Sequence, residues 1–95
     1  MFYKISDYSL VSYSKSHVKN KKYDAILKSK SNGKLVRVPF GDLRYTNYRD
    51  CTKLNLYPHL INNNTEKRRL YRLRHKKDLR EEFYSPGYFS LHILW

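Results

Sequence analysis

The chain is predicted to fold as a small α+β domain, and three observations carry that prediction. Two runs of alternating apolar and polar residues flank Asn32-Gly33, residues 65–83 form a capped helical pattern dense in Lys and Arg, and Ser85-Pro86 opens a short apolar segment ending in Trp95. At 95 residues there is room for one core and one domain. The expected organisation is an N-terminal arm or edge strand over 1–20, then a single domain over 21–95. In that domain a β-hairpin packs on a basic helix and a short C-terminal helix closes the core.

Residues 1–20 place Phe2, Tyr3, Ile5, Tyr8, Leu10, Val11 and Tyr13 in a loose alternation among Ser and Lys. That pattern suits a strand, and equally an arm that orders only against a neighbour. The hairpin is predicted over 22–40. Tyr23, Ala25 and Leu27 share one face, and the alternation resumes over Leu35–Val38. Asn-Gly between β-prone runs is a strong hairpin signal, because both residues tolerate the positive φ of a type I′ turn. Pro39 cannot donate to a ladder, so the second strand ends there or lies at an edge, and Phe40-Gly41-Asp42 is read as a turn.

Residues 41–64 supply Tyr45, Tyr48, Leu54, Leu56, Tyr57 and Leu60 as apolar anchors without a sustained period. They read as an ordered loop with one helical turn. The helix over 65–83 has Asn64 or Thr65 as a competent N-cap and Glu66 in its first turn. Leu70, Leu73, Leu79 and Phe83 form its predicted core stripe against the hairpin, with Tyr71 beside them. Asp78, Glu81 and Glu82 partly offset its cations at i+3 and i+4 spacing. Ser85 as N-cap with Pro86 at the first position opens the last element. Its Phe89, Leu91, Ile93 and Trp95 are expected to dock rather than face water.

Composition bounds the function more than it names it. Twenty Lys and Arg against eight Asp and Glu give a formal charge of +12. Such a surface attracts polyanions, so nucleic acid, an anionic membrane surface and an acidic protein surface are the three partner classes. Mean hydropathy is −0.84 and ten residues are Tyr. A tyrosine-rich chain favours half-buried and interfacial positions over a dry core, so a thin core finished by a partner is expected. The lone Cys51 cannot form an intramolecular disulfide, which fits a reducing compartment. No apolar run approaches the roughly 18 residues of a spanning helix, and residues 1–10 do not resemble a signal peptide.

The search for catalytic chemistry finds little. Glu81 and Glu82 diverge on a helix, and Asp42 and Asp50 suit turn capping better than acid–base work. Cys51, His59, His75 and His92 lie 8, 16 and 17 residues apart, without the short paired spacing of a zinc site. No glycine pattern cradles phosphate. The chain is therefore read as a non-enzyme without metal or cofactor. The basic helix is the segment with a chemical message. Lys67, Arg68, Arg69, Arg72, Arg74, Lys76 and Lys77 can pair with phosphate or carboxylate, and Tyr71 can stack on an unpaired base. Nothing matches a helix-turn-helix, a zinc finger or an RNA-recognition module, so sequence-specific readout is not expected.

Several residue groups, taken together, resemble a family. They are Lys22-Tyr23 opening a strand, Val38-Pro39-Phe40-Gly41-Asp42 with Tyr45 beyond, Arg68-Arg69-x-Tyr71-x-x-Arg74-His75, and the closing Tyr88-Phe89-Ser90-x-x-Ile93-Leu94-Trp95. Over about residues 21–95 this order is similar to an uncharacterised family of small basic proteins encoded by large DNA viruses and some aquatic phages. The family has a shorter hairpin loop and Ser-Phe-Gly where this chain has Pro39-Phe40-Gly41, and Asn62–Asn64 lengthen the approach to the helix. The resemblance implies a viral origin and a place in the virion, with synthesis in host cytoplasm or nucleus. It carries no activity.

The expected function is a minor structural protein of a large DNA virus particle that binds capsid proteins. A genome-associated protein that binds nucleic acid without sequence preference is the alternative. Tyr23, Phe40, Gly41, Tyr71, His75 and Trp95 are expected to define the fold or an interface.

Overall fold

Strand β3 (Lys21–Ser29) is the centre of the molecule in the computed structural model, which describes residues 3–77 and 82–95. It pairs antiparallel with β2 (Tyr8–Lys15) on one side and β4 (Leu35–Asp42) on the other. The register sets Tyr23 opposite Phe40, Ala25 opposite Val38 and Leu27 opposite Val36. Three cross-strand apolar pairs thus lie on one face, as the period of two requires. Residues 8–15 form an edge strand whose pairing shifts between Leu10 and Ser12, a bulge that blunts the exposed edge. A second, two-stranded sheet joins β1 (Tyr3–Lys4) to β5 (Phe83–Tyr84). Among the described residues these elements and two short helices make up a small α+β domain.

The sheet's apolar face is covered by the C-terminal segment. Ser85 Oγ accepts the Tyr88 N–H at 3.1 Å and so caps α2 (Pro86–Phe89), which continues as a π-helical stretch, Ser90–Leu94. Pro86 holds Ser85 extended, as a residue before proline must be, and this separates α2 from what precedes it. Phe89 and Leu94 join Tyr23, Ala25, Leu27, Val38 and Phe40 in the buried cluster, and Leu91 is also buried. Half-buried tyrosines ring that cluster, Tyr13, Tyr57, Tyr84 and Tyr88 among them. The core is therefore thin and aromatic, with Phe40 and Phe89 rings 5.4 Å apart.

Four expectations need correction. Helix α1 spans Thr65–Arg74 and buries no residue. Leu70 and Leu73 are 40% and 57% exposed, so the stripe expected to pack on the hairpin faces water, and the C-terminal helix takes its place. Phe83 is half-buried in β5 rather than helical, because it pairs with Lys4. Leu79, Asp78 and Glu81 lie outside the described residues. The hairpin does not close through a type I′ turn. Residues 30–34 form a five-residue loop in which Gly33 alone has positive φ, while the Asn32 side chain accepts the Lys34 N–H at 2.9 Å. That bond holds Asn32 to a local side-chain turn.

Phe40-Gly41-Asp42 stays in β4 instead of turning, and the turn follows it, with the Tyr45 N–H on the Asp42 carbonyl. Gly41 is required there: φ is +77°, and a Cβ would meet Leu94 Cδ1 at 2.9 Å and Lys22 Cβ at 3.1 Å. Of the loop anchors, Tyr48, Tyr57 and Leu60 are half-buried, whereas Tyr45, Leu54 and Leu56 are exposed. One 3₁₀ turn, Pro58–Leu60, interrupts the loop.

Candidate functional site

Helix α1 begins where Asn64 Oδ1 accepts the N–H groups of Glu66 and Lys67 at 3.1 and 3.0 Å. That cap satisfies two of the four orphan donors of the first turn. The helix ends at His75, whose N–H closes on the Tyr71 carbonyl at 3.0 Å. No residue of α1 is fully buried, and specific contacts seat it among the described residues. The Tyr71 ring stacks on Trp95 at 4.4 Å and 7°, the Arg68 Nε donates to the Trp95 carbonyl oxygen at 2.7 Å, and the Arg68 guanidinium lies 4.9 Å from the centre of the Tyr48 ring. His75 adds a third ring to the stack, 4.3 Å from Tyr71.

The seven predicted polyanion-binding residues are thus brought onto one exposed element and its C-terminal extension, but not in equal roles. Arg68 is turned inward as a structural anchor. Arg69 pairs with Glu66 at 2.7 Å, three residues apart on the exposed helix face. Such exposed pairs are worth only a few tenths of a kcal/mol, so this one leaves Arg69 available. Arg72 is half-buried, while Lys67, Arg74, Lys76 and Lys77 are exposed. Burial, followed by the neighbouring charges of Arg72 and Arg49, pushes the His92 imidazole below its usual range. Tyr23, Phe40 and Gly41 belong to the core, and Tyr71, His75 and Trp95 to the stack.

Sequence reasoning named Asp42 and Tyr45 but did not single out Arg44 between them. The loop after β4 runs beside α1 and the C-terminal segment, and places Arg44 and Tyr45 at the surface. Asp42 takes the Arg44 guanidinium at 2.8 Å and accepts the Arg44 N–H. Those hydrogen bonds hold the Asp42 carboxyl down at about 2. Arg44 also lies 5.7 Å from the centre of the Tyr45 ring. The readable signal was the adjacent basic and aromatic pair Arg44-Tyr45.

Lys22 props this loop from beneath. It is 2% exposed, and its ammonium donates to the Tyr45 carbonyl at 2.9 Å and to Asn47 Oδ1. Burial pushes its pKa down to about 8, against the raising influence of Asp42 and Asp50. Asn47 in turn exchanges backbone bonds with Leu60 and Asn62. On the same side of β3, buried Asp24 accepts from Ser16 Oγ, from the His17 ring and backbone, and lies 3.5 Å from Arg37. Burial pushes that carboxyl up, but the hydrogen bonds from Ser16 and His17 outweigh it and hold it below the usual range.

No family model, no curated protein and no solved structure matches this chain.

Asp50 accepts from the Tyr23 hydroxyl and from the Thr52 N–H and hydroxyl, so it organises a turn, as Asp42 does. Among the described residues there is no group of three His, Cys, Asp or Glu that could hold a metal ion. Cys51 is exposed and unpaired. No helix among the described residues is long and apolar enough to cross a membrane.

Proposed function

We propose that this protein acts by binding, without catalysis, and that α1 and its extension contact the backbone of nucleic acid without reading sequence. The observation that carries this reading is the helix with no buried side chain and cations around its circumference. A helix seated by one aromatic stack and a few polar contacts, with none of its residues fully buried, contributes less to the fold than a core helix does. Its cations are then best explained by an external polyanion. Phosphate contacts position a ligand and carry no sequence information, which suits the absence of a recognisable reading module.

A second reading has its own support. Leu10 and Val11 on the β2 edge, Leu54 and Leu56 in the long loop, and Leu73 on α1 are exposed apolar side chains. A minor structural protein in a large DNA virus particle would bury such residues against capsid proteins. Its viral and virion placement rests on the resemblance of residues 21–95 to the uncharacterised family.

Salt separates the two. Binding of the purified protein to a nucleic-acid duplex, measured from 50 to 200 mM salt, is expected to weaken by roughly a thousandfold if six or more phosphates are contacted. Replacing Arg69, Arg72, Lys76 and Lys77 together by Ala should flatten that slope. Arg68 is left intact because it seats the helix. A weak interaction that ignores both salt and substitution would remove the nucleic-acid reading and favour the capsid one.

A further inference from the structure

Between α1, the loop after β4 and the C-terminal helical segment lies a cleft that the charge of the helix does not explain. It comprises two cavities of about 230 and 420 Å³ that share Tyr45, Thr46, Tyr71 and Trp95 as lining. The larger falls in the range of about 300–1,000 Å³ typical of small-ligand sites. We propose that this cleft receives an unpaired nucleobase, so that the preferred ligand is single-stranded nucleic acid. The inference rests on the nucleic-acid reading above and adds to it the kind of strand.

Chemistry on opposite rims supports the assignment. Lys67 and Arg74 border the cleft from α1, where a one-turn and two-turn spacing puts them on one face with Leu70 and Tyr71. Lys21 borders it from the sheet. Asp42, the acidic side chain in the lining, is paired with Arg44, and Lys67, Arg74 and Lys21 outnumber it around the cleft. Between those cations the walls are aromatic and apolar. Tyr45 is 65% exposed and Leu70 40% exposed, so both leave apolar surface open to a ligand. A positively charged groove with aromatic walls is the general solution for holding single strands, since every base has a face to stack and phosphates flank it. A duplex keeps its bases stacked inside and cannot fill such a cleft. The Lys22 ammonium beneath the Tyr45 carbonyl fixes the loop that forms one wall, so the cleft is built into the fold.

Trp95 is the one tryptophan of the chain, and its fluorescence reports on the cleft directly. The intact protein is titrated with a thymidine oligonucleotide, an abasic oligonucleotide of the same length and a duplex of the same length, at one low salt concentration. The single strand is expected to bind about tenfold or more tightly than either control, with a change in Trp95 emission that the controls do not produce. Tyr45→Ala, at an exposed position, should lower single-strand affinity about tenfold and leave duplex affinity unchanged. Lys67→Ala should weaken single-strand binding more steeply at low salt than at high salt.

Equal binding of all three ligands with unchanged emission would overturn the base-binding cleft while leaving the backbone-contact reading in place. Binding to none of them would overturn both. A polyglutamate peptide that matches the single strand in affinity and emission change would overturn the ligand class, pointing instead to acidic protein.

Discussion

Lys22 shows how one residue can be both a structural necessity and a titrating group. Its stem packs against Gly41 and its ammonium is bonded inside the fold, yet burial lowers its pKa from 10.5 to about 8. Below pH 8 the folded and unfolded chains both hold the proton, and the desolvation penalty is carried in full. Between pH 8 and about 10.5 the unfolded chain holds it while the folded chain releases it, so the unfolded state binds more protons and stability rises with pH. Tyr13 and Tyr23 act in the opposite sense. Burial foremost raises both from 10.0 to about 12, so their contribution is complete below pH 10 and is lost above it. Stability is therefore expected to climb by on the order of 2 kcal/mol from pH 8 to pH 10 and then to fall. Urea titrations across that window check it. Lys22→Met should be less sensitive to pH between 8 and 10, whatever its absolute stability. A wild-type curve that is flat or falling from pH 8 would show that Lys22 is not desolvated as placed.

At the scale of elements, the exposed helix and the buried C-terminal segment differ sharply in what they contribute. Leu70→Ala and Leu73→Ala are expected to change stability by no more than about 0.5 kcal/mol, as surface substitutions do. Leu91→Ala and Leu94→Ala should cost about 2–5 kcal/mol through the cavities they leave. Thermal or urea unfolding of the four variants tests the contrast, and a large loss at Leu73 would place α1 back in the core.

The same contrast explains what could be read beforehand. The hairpin was legible because Tyr23, Ala25 and Leu27, and then Val36 and Val38, recur at a spacing of two, which puts them on one face to bury. The cap at Ser85 and the docking of Phe89 and Leu91 were legible from local chemistry and hydrophobicity, whereas Leu94 is buried more fully than the expected Ile93 and Trp95. Helical spacing at Leu70 and Leu73 was misleading, because spacing says which residues share a face and not whether anything covers it. The end of α1 at Arg74 was hidden because pairing of Phe83 with Lys4 joins residues far apart in sequence. The cationic half of the candidate site could be read as a run in the sequence. Its aromatic half could not, because Tyr45, Tyr71 and Trp95 meet only through the fold.

For the whole molecule the governing fact is a charge of +12 on 95 residues with most described acids already engaged. Asp24 is held by Ser16 and His17, Asp42 by Arg44, Asp50 by Tyr23 and Thr52, and Glu66 by Arg69. The remaining cations repel one another within a body whose shortest extent is 20 Å. At 10 mM salt the screening length is about 30 Å, longer than that body is thick, and at 100 mM it shrinks to about 10 Å. Self-repulsion of this kind destabilises the folded state, so the free protein should melt several degrees higher at 100 mM salt than at 10 mM. A polyanion such as heparin should raise the melting temperature at 10 mM by neutralising the same cations, and that gain should shrink as salt competes for them. Scanning calorimetry at the two salt concentrations, with and without heparin, measures both effects. If salt alone left the melting temperature unchanged, self-repulsion among the cations would not be a measurable cost to this fold, and a gain with heparin would report binding alone.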